Sequence, residues 1–149
     1  MSTWHEDHPD FEAFSSRRSE VAIPRDPKKL FLPNSNNKTL VQQEAMVVEF
    51  SQELGRKVTG VQTVIGEAPD YVELAFAHLD KTRDEGKKDY LFGENYNYNY
   101  ARTKTPTVDS LVADVGFCAG GLDVGSCHRE YGHDDVFAAP LVVPIETGK

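Results

Sequence analysis

The stretch "SCHREYGHDD" at residues 126–135 sets Cys127, His128 and His133 within seven positions, a short way beyond Cys118. Thiolate and imidazole are the ligands of tetrahedral zinc sites, so one reading of these four side chains is a small zinc-binding or regulatory module. The spacing departs from the common zinc modules, which present two cysteines in a tight knuckle. Here Cys127 and His128 are adjacent and point to opposite sides of an extended chain. The expected reading is therefore metal-free: Cys118 as a small buried hydrophobe ending a strand, and the histidines on a polar loop. The intervening "AGGLDVGS" is rich in turn formers and predicts a hairpin able to bring both sulfurs face to face, where oxidising surroundings would join them. A second ligand set, His5, Glu6, Asp7, His8 and Asp10 in "WHEDHPD", reads as polar tail, because ligands on a mobile segment hold metal weakly unless another chain completes them.

Pro69 and Asp70, followed by Glu85, Gly86 and Lys87, resemble the Pro-Asp, then Glu-x-Lys, pattern of the restriction-endonuclease-like nucleases. The resemblance spans residues 39–90, where a helix and a strand are predicted in the order of that fold. It implies a metal-dependent nuclease in which Asp70 and Glu85 bind Mg²⁺ and Lys87 steadies the attacking water. The chain departs from the family at the second half of the pattern. There the family has an apolar strand, and "RDEGKKD" is polar on all sides and centred on glycine, as a surface turn would be.

"NYNYNYARTK" is the most unusual segment. As a strand it puts Tyr96, Tyr98, Tyr100, Arg102 and Lys104 on one face. A tyrosine row ending in two cations can stack single-stranded bases, sugar rings or an apolar peptide; it can equally be a half-exposed strand covering the edge of a core. "GFCAGGLDVG" lacks the lysine of a phosphate-binding loop, no serine lies in a nucleophile elbow, and His78 reads as a satisfied core histidine.

These residues need elements to position them. The clearest is a helix from "KTLVQQEAMVVEFSQELG": Thr39 and Gln42 form a capping box, Gly55 supplies the stop, and Leu40, Ala45, Val47, Val48, Phe50, Ser51 and Leu54 give a wide apolar face that predicts a core helix. "KVTGVQTVIG", residues 57–66, then reads as a strand rich in β-branched residues. "PDYVELAFAHLD" fits both periodicities, and Pro69 at a first helical position tips it to helix. Short β-prone runs then recur in "YLFG", "YNYNYARTKT", "SLVADVGFC" and "VFAAPLVVPI", predicting a small sheet or sandwich. Residues 1–37 carry Pro9, Pro24, Pro27 and Pro33 and no sustained periodicity, so they read as an extended arm without regular secondary structure. The arm's Trp4, Phe11, Phe14 and Phe31 are expected to bury against the body or a partner.

The expected fold class is thus α+β: a single domain over residues 38–149 with an N-terminal core helix and a β-rich C-terminal half, preceded by the arm. The 149 residues allow one core, and 39% hydrophobic content excludes wholesale disorder. The net charge of −8 makes duplex nucleic acid a poor partner, and residues 109–149 hold seven carboxylates against Arg129 and Lys149. No run approaches a membrane span or a signal peptide. The leading expectation is a soluble, non-enzymatic assembly or interaction subunit, cytoplasmic or a virion component, without cofactor. It would meet a protein partner or further copies of itself through Trp4, Phe11, Phe14 and Phe31 of the arm and Tyr96, Tyr98, Tyr100, Arg102 and Lys104 of the strand. The nuclease and the zinc module are the alternatives.

Overall fold

The computed structural model describes residues 8, 10–15, 20–24, 29–86, 91, 99–118 and 121–145. Helix α1, Leu40–Gly55, starts as the capping box dictates: Gln42 N donates to Thr39 Oγ1 at 3.1 Å and Thr39 N to Gln42 Oε1 at 2.8 Å. Its buried stripe is Leu40, Gln43, Val47 and Leu54, narrower than the wide apolar face the sequence predicts. Gln43 takes a core position because its Nε2 reaches two backbone carbonyls, Ser35 O at 2.7 Å and Val136 O at 3.2 Å. Ala45 and Val48, expected inside, face solvent.

Helix α2 spans Ala68–Asp84, with Pro69 in its first turn. Buried Asp70 accepts a hydrogen bond from Glu67 N at 2.9 Å, and Ala68 N donates to Thr105 Oγ1 at 2.8 Å. The chain leaves the helix through Gly86, whose φ of +81° suits glycine.

Among the described residues, eight strands form two four-stranded sheets. The first has the order β1 (Phe11–Ser15), β2 (Glu20–Pro24), β8 (Leu141–Pro144), β3 (Val61–Val64), all antiparallel. The second has the order β6 (Gly121–His128), β5 (Leu111–Cys118), β4 (Tyr100–Pro106), β7 (Val136–Phe137), with β7 parallel to β4. The molecule is mixed α+β with most strands in the C-terminal part, as expected. The expectation that residues 1–37 lack regular secondary structure is corrected, because β1 and β2 pair as a hairpin and β2 adds to β8. Proline excludes a strand only where a ladder amide is needed. Pro9 precedes β1, Pro24 ends β2, and Pro27 and Pro33 lie beyond it.

The two helices cover opposite faces of both sheets. Val21, Ile23 and Leu141 of the first sheet join Ala101, Ala113 and Val115 of the second in one core with Tyr71 and Leu74 of α2. On the other side, Ala22, Val61 and Val142 pack with Leu54, while Val112, Cys127 and Val136 pack with Leu40 and Val47. Tyr71 locks the α2 side: its hydroxyl donates to Ala139 O at 2.7 Å and accepts from Gly66 N at 3.0 Å.

Candidate functional site

The face of β4, β5 and β6 turned away from α2 is where polar chemistry collects. Register sets the rows: Arg102 lies opposite Asp114, Asp114 opposite Gly125, Gly116 opposite Asp123, and Val112 opposite Cys127. The tripeptide Asp-Val-Gly occurs at 114–116 and again at 123–125. Antiparallel pairing sets each aspartate against the other strand's glycine. The glycines are needed there, since a Cβ on Gly125 would stand 2.9 Å from Asp114 Oδ1, and one on Gly116 would stand 2.6 Å from the Tyr100 ring. Tyr100 lies over Gly116 and donates its hydroxyl proton to Asp123 Oδ2 at 2.8 Å.

Arg102 is the largest fully buried side chain among the described residues, at 0% exposure. Nη1 donates to Lys38 O at 2.8 Å and Gln43 Oε1 at 3.3 Å, Nη2 to Tyr131 O at 2.7 Å and His128 O at 3.4 Å, and Nε to Cys127 Sγ at 3.4 Å. The guanidinium fork is thus satisfied mainly by carbonyls from three segments: the entry to α1, the end of β6 and the turn after it. The same junction is closed by backbone contacts, with Asn37 N donating to His133 O and Leu40 N to Arg129 O.

Burial pushes the Asp114 carboxyl above the ordinary 3.8, opposed by the hydrogen bond it receives from the Cys127 thiol. Burial also pushes the Cys127 thiol above the ordinary 9.0, opposed by Arg102. A thiol held protonated at neutral pH is a poor nucleophile. These residues floor a cleft of about 300 Å³ whose walls carry Tyr100, Asp123, His133 and Asp135. The arrangement is a rigid polar junction beneath an acidic opening. Among the described residues no group of three or more His, Cys, Asp or Glu side chains is placed to hold a metal ion.

The residues singled out from sequence are distributed as follows. Asp70 sits in the first turn of α2 and Glu85 at its C-cap, some 15 residues or about 22 Å apart along the helix axis; Lys87 lies outside the described residues. Cys118 pairs with Gly121 beside the hairpin turn, while Cys127 pairs with Val112 six residues away, about 20 Å along the strand. The hairpin forms as the turn residues predict, and its register keeps the two cysteines well beyond disulfide reach. His128 stacks on Tyr131 with ring centroids 4.3 Å apart and accepts from Glu130 N, and His133 lines the cleft.

Of the expected interface residues, Trp4, Tyr96 and Tyr98 lie outside the described residues, as do His5, Glu6 and Asp7. Phe11 and Phe14 are half-buried in the hairpin; Phe31 is buried, with its ring 5.5 Å from that of Phe137. Tyr100 is engaged with Asp123, and Lys104 is exposed. Arg102 shares a face with Tyr100 as alternation predicts, but that face is roofed by α1 and the turn after β6 at Arg102's end. It is internal and not part of a cationic surface row. Asp114 and Asp123 were not among the residues expected from sequence; the repeated Asp-Val-Gly is the signal that marks them, because glycine inside a strand indicates a close approach. No family model, curated protein or solved structure matches the chain.

Proposed function

We propose that the protein is a non-enzymatic assembly subunit that associates with a second copy of itself through the outer face of α1. The observation that carries this reading is an apolar stripe pointing into solvent: Val41 is 73% exposed, Val48 54%, and Ala45 lies between them, also exposed. Residues spaced by four and three share one face of a helix. Valine is also a mediocre helix former, so propensity does not account for two of them on a solvated face. Each contributes about 1.5–3 kcal/mol when buried.

The stripe is self-complementary. Two copies of α1 crossing antiparallel about Ala45 set Val41 of one against Val48 of the other, and the small Ala45 lets the helices approach closely, as an isologous two-fold contact requires. Exposed Glu44 and Glu49 flank the stripe, so like charges oppose the contact at low salt and are screened at high salt.

This reading keeps the interaction class expected from sequence and moves the main surface from the tyrosine strand to α1. Sedimentation of the full chain over a range of concentrations tests it. The expected result is a dimer that strengthens with salt and is abolished in the Val41→Glu, Val48→Glu double variant, with the far-ultraviolet dichroism of the folded chain retained and the melting temperature lowered only by the lost association. A monomer under every condition contradicts it.

A further inference from the structure

Strand β6 ends the second sheet, and its outer edge pairs with no other strand among the described residues. One bond fixes which backbone groups that edge presents: Arg129 N donates to Ser110 O at 3.0 Å, so these two residues form a hydrogen-bonded pair. Bonded pairs recur at every second residue of an antiparallel ladder, which assigns Val112 with Cys127, Asp114 with Gly125 and Gly116 with Asp123 to the bonded set. Leu122, Val124 and Ser126 therefore turn their N–H and C=O groups outward. Their side chains are exposed as well, Leu122 at 36% and Val124 at 53%. Natural edge strands are blunted by lysine, proline, a bulge or shortness; β6 runs eight residues in unbroken register and has none of these.

We propose that this edge pairs antiparallel with the β6 edge of a second copy, about a two-fold axis through Val124. The register argues for this occupant. The outward residues are centred on Val124, so the axis sets Leu122 opposite Ser126 of the other copy and Val124 opposite Val124, and every outward donor meets an acceptor. Charge agrees: Asp123 is the only charged residue between Leu122 and Cys127, and the same axis sets it opposite Gly125, so no carboxylate stands directly opposite another. The chain already makes this pairing once. β5 and β6 join through Asp-Val-Gly against Asp-Val-Gly, with each aspartate opposite a glycine, and the free side of β6 offers the same tripeptide again. A single strand pair is smaller than a stable interface, so the contact forms near millimolar concentration and is absent from the dilute solutions in which the α1 dimer is measured. It rests on the β6 edge alone and does not need the α1 contact.

Amide NMR of the full chain carrying Val41→Glu and Val48→Glu, followed from dilute to near-millimolar solution, reads this contact apart from the α1 association. The amides of Leu122, Val124 and Ser126 should shift with concentration and exchange with solvent several-fold more slowly, while those of Asp123 and Gly125, already bonded to β5, should change little. In a mixture of isotope-labelled and unlabelled chains, Asp123 of one copy should lie close to Gly125 of the other. Val124→Pro removes an outward donor and no bond to β5, so it should abolish the concentration dependence with the dispersion of the folded spectrum retained. Should that variant not fold, Val124→Lys replaces it, since it sets like charges against each other on the axis. Amides of β6 that ignore concentration overturn the proposal, as does a dependence that persists in Val124→Lys. Contacts between copies that join β6 to a different element overturn it too, and assign the edge to another surface.

Discussion

Arg102 and Asp114 are direct cross-strand partners on β4 and β5, and the Cys127 thiol bridges them, accepting from Arg102 Nε at 3.4 Å and donating to the Asp114 carboxylate. The arginine spends its other donors on carbonyls of the segments around it. That makes it the tie between the α1 entry and the turn after β6.

Replacing Arg102 by Met should therefore destabilise the protein by on the order of 3 kcal/mol, since Lys38 O, Tyr131 O and His128 O lose their donor inside the protein. Arg102→Lys should recover little of this, because an ammonium cannot span the fork. Urea unfolding measures both; a loss below about 1 kcal/mol in Arg102→Met would contradict the tie.

The pH dependence follows from the two raised groups. Cys127 keeps its proton above pH 9.0 when folded and loses it there when unfolded. The native state then binds more protons, so stability should fall as pH rises past that value. Cys127→Ser, which retains a donor and an acceptor but does not titrate, should flatten this alkaline limb. Asp114, raised above 3.8, likewise favours the native state at low pH and is a standing cost once ionised. Asp114→Asn should accordingly raise the melting temperature at pH 7, with the gain vanishing below pH 3.8.

Close approach ranks three glycines by what a methyl would strike. At Gly132 a Cβ would stand 2.4 Å from the backbone carbon of Asn37, which no side-chain rotation can move aside. Gly132→Ala should cost about 2–3 kcal/mol, the upper range for overpacking. Gly125→Ala meets only the Asp114 carboxylate and should cost less, as should Gly116→Ala against the Tyr100 ring. Equal losses at all three would argue against the register described.

Asp70 is a helix-capping group in this fold. Asp70→Ala should lower stability by about 1 kcal/mol, as lost caps do. Adding Mg²⁺ should leave the melting temperature of the wild-type chain unchanged; a rise that disappears in both Asp70→Ala and Glu85→Gln would restore the nuclease reading.

Local signals were the legible ones. Thr39 with Gln42, Pro69 in a first turn, and the turn formers between Cys118 and Cys127 act within a few residues, and the chain follows them. What was hidden depends on tertiary context. Alternation places Tyr100, Arg102 and Lys104 on one face but does not say where α1 will roof that face. The apolar positions of α1 read as one wide core face, yet the sheets cover only the Leu40, Gln43, Val47 and Leu54 side and leave Val41, Ala45 and Val48 outside. The four prolines of the first 37 residues read as strand breakers because their offsets from the strand interiors are fixed only by pairing with β8.

The two-fold contact through α1 is tested most directly by a cysteine at its centre. In the proposed dimer the two thiols of an Ala45→Cys variant would face each other across the two-fold axis, within disulfide distance. In a Cys118→Ser background, mild oxidation should convert this variant to a covalent dimer, while the background chain, whose remaining Cys127 is buried, and a Gln52→Cys control stay monomeric on denaturing gels. An Ala45→Cys protein that crosslinks no faster than Gln52→Cys would contradict the account.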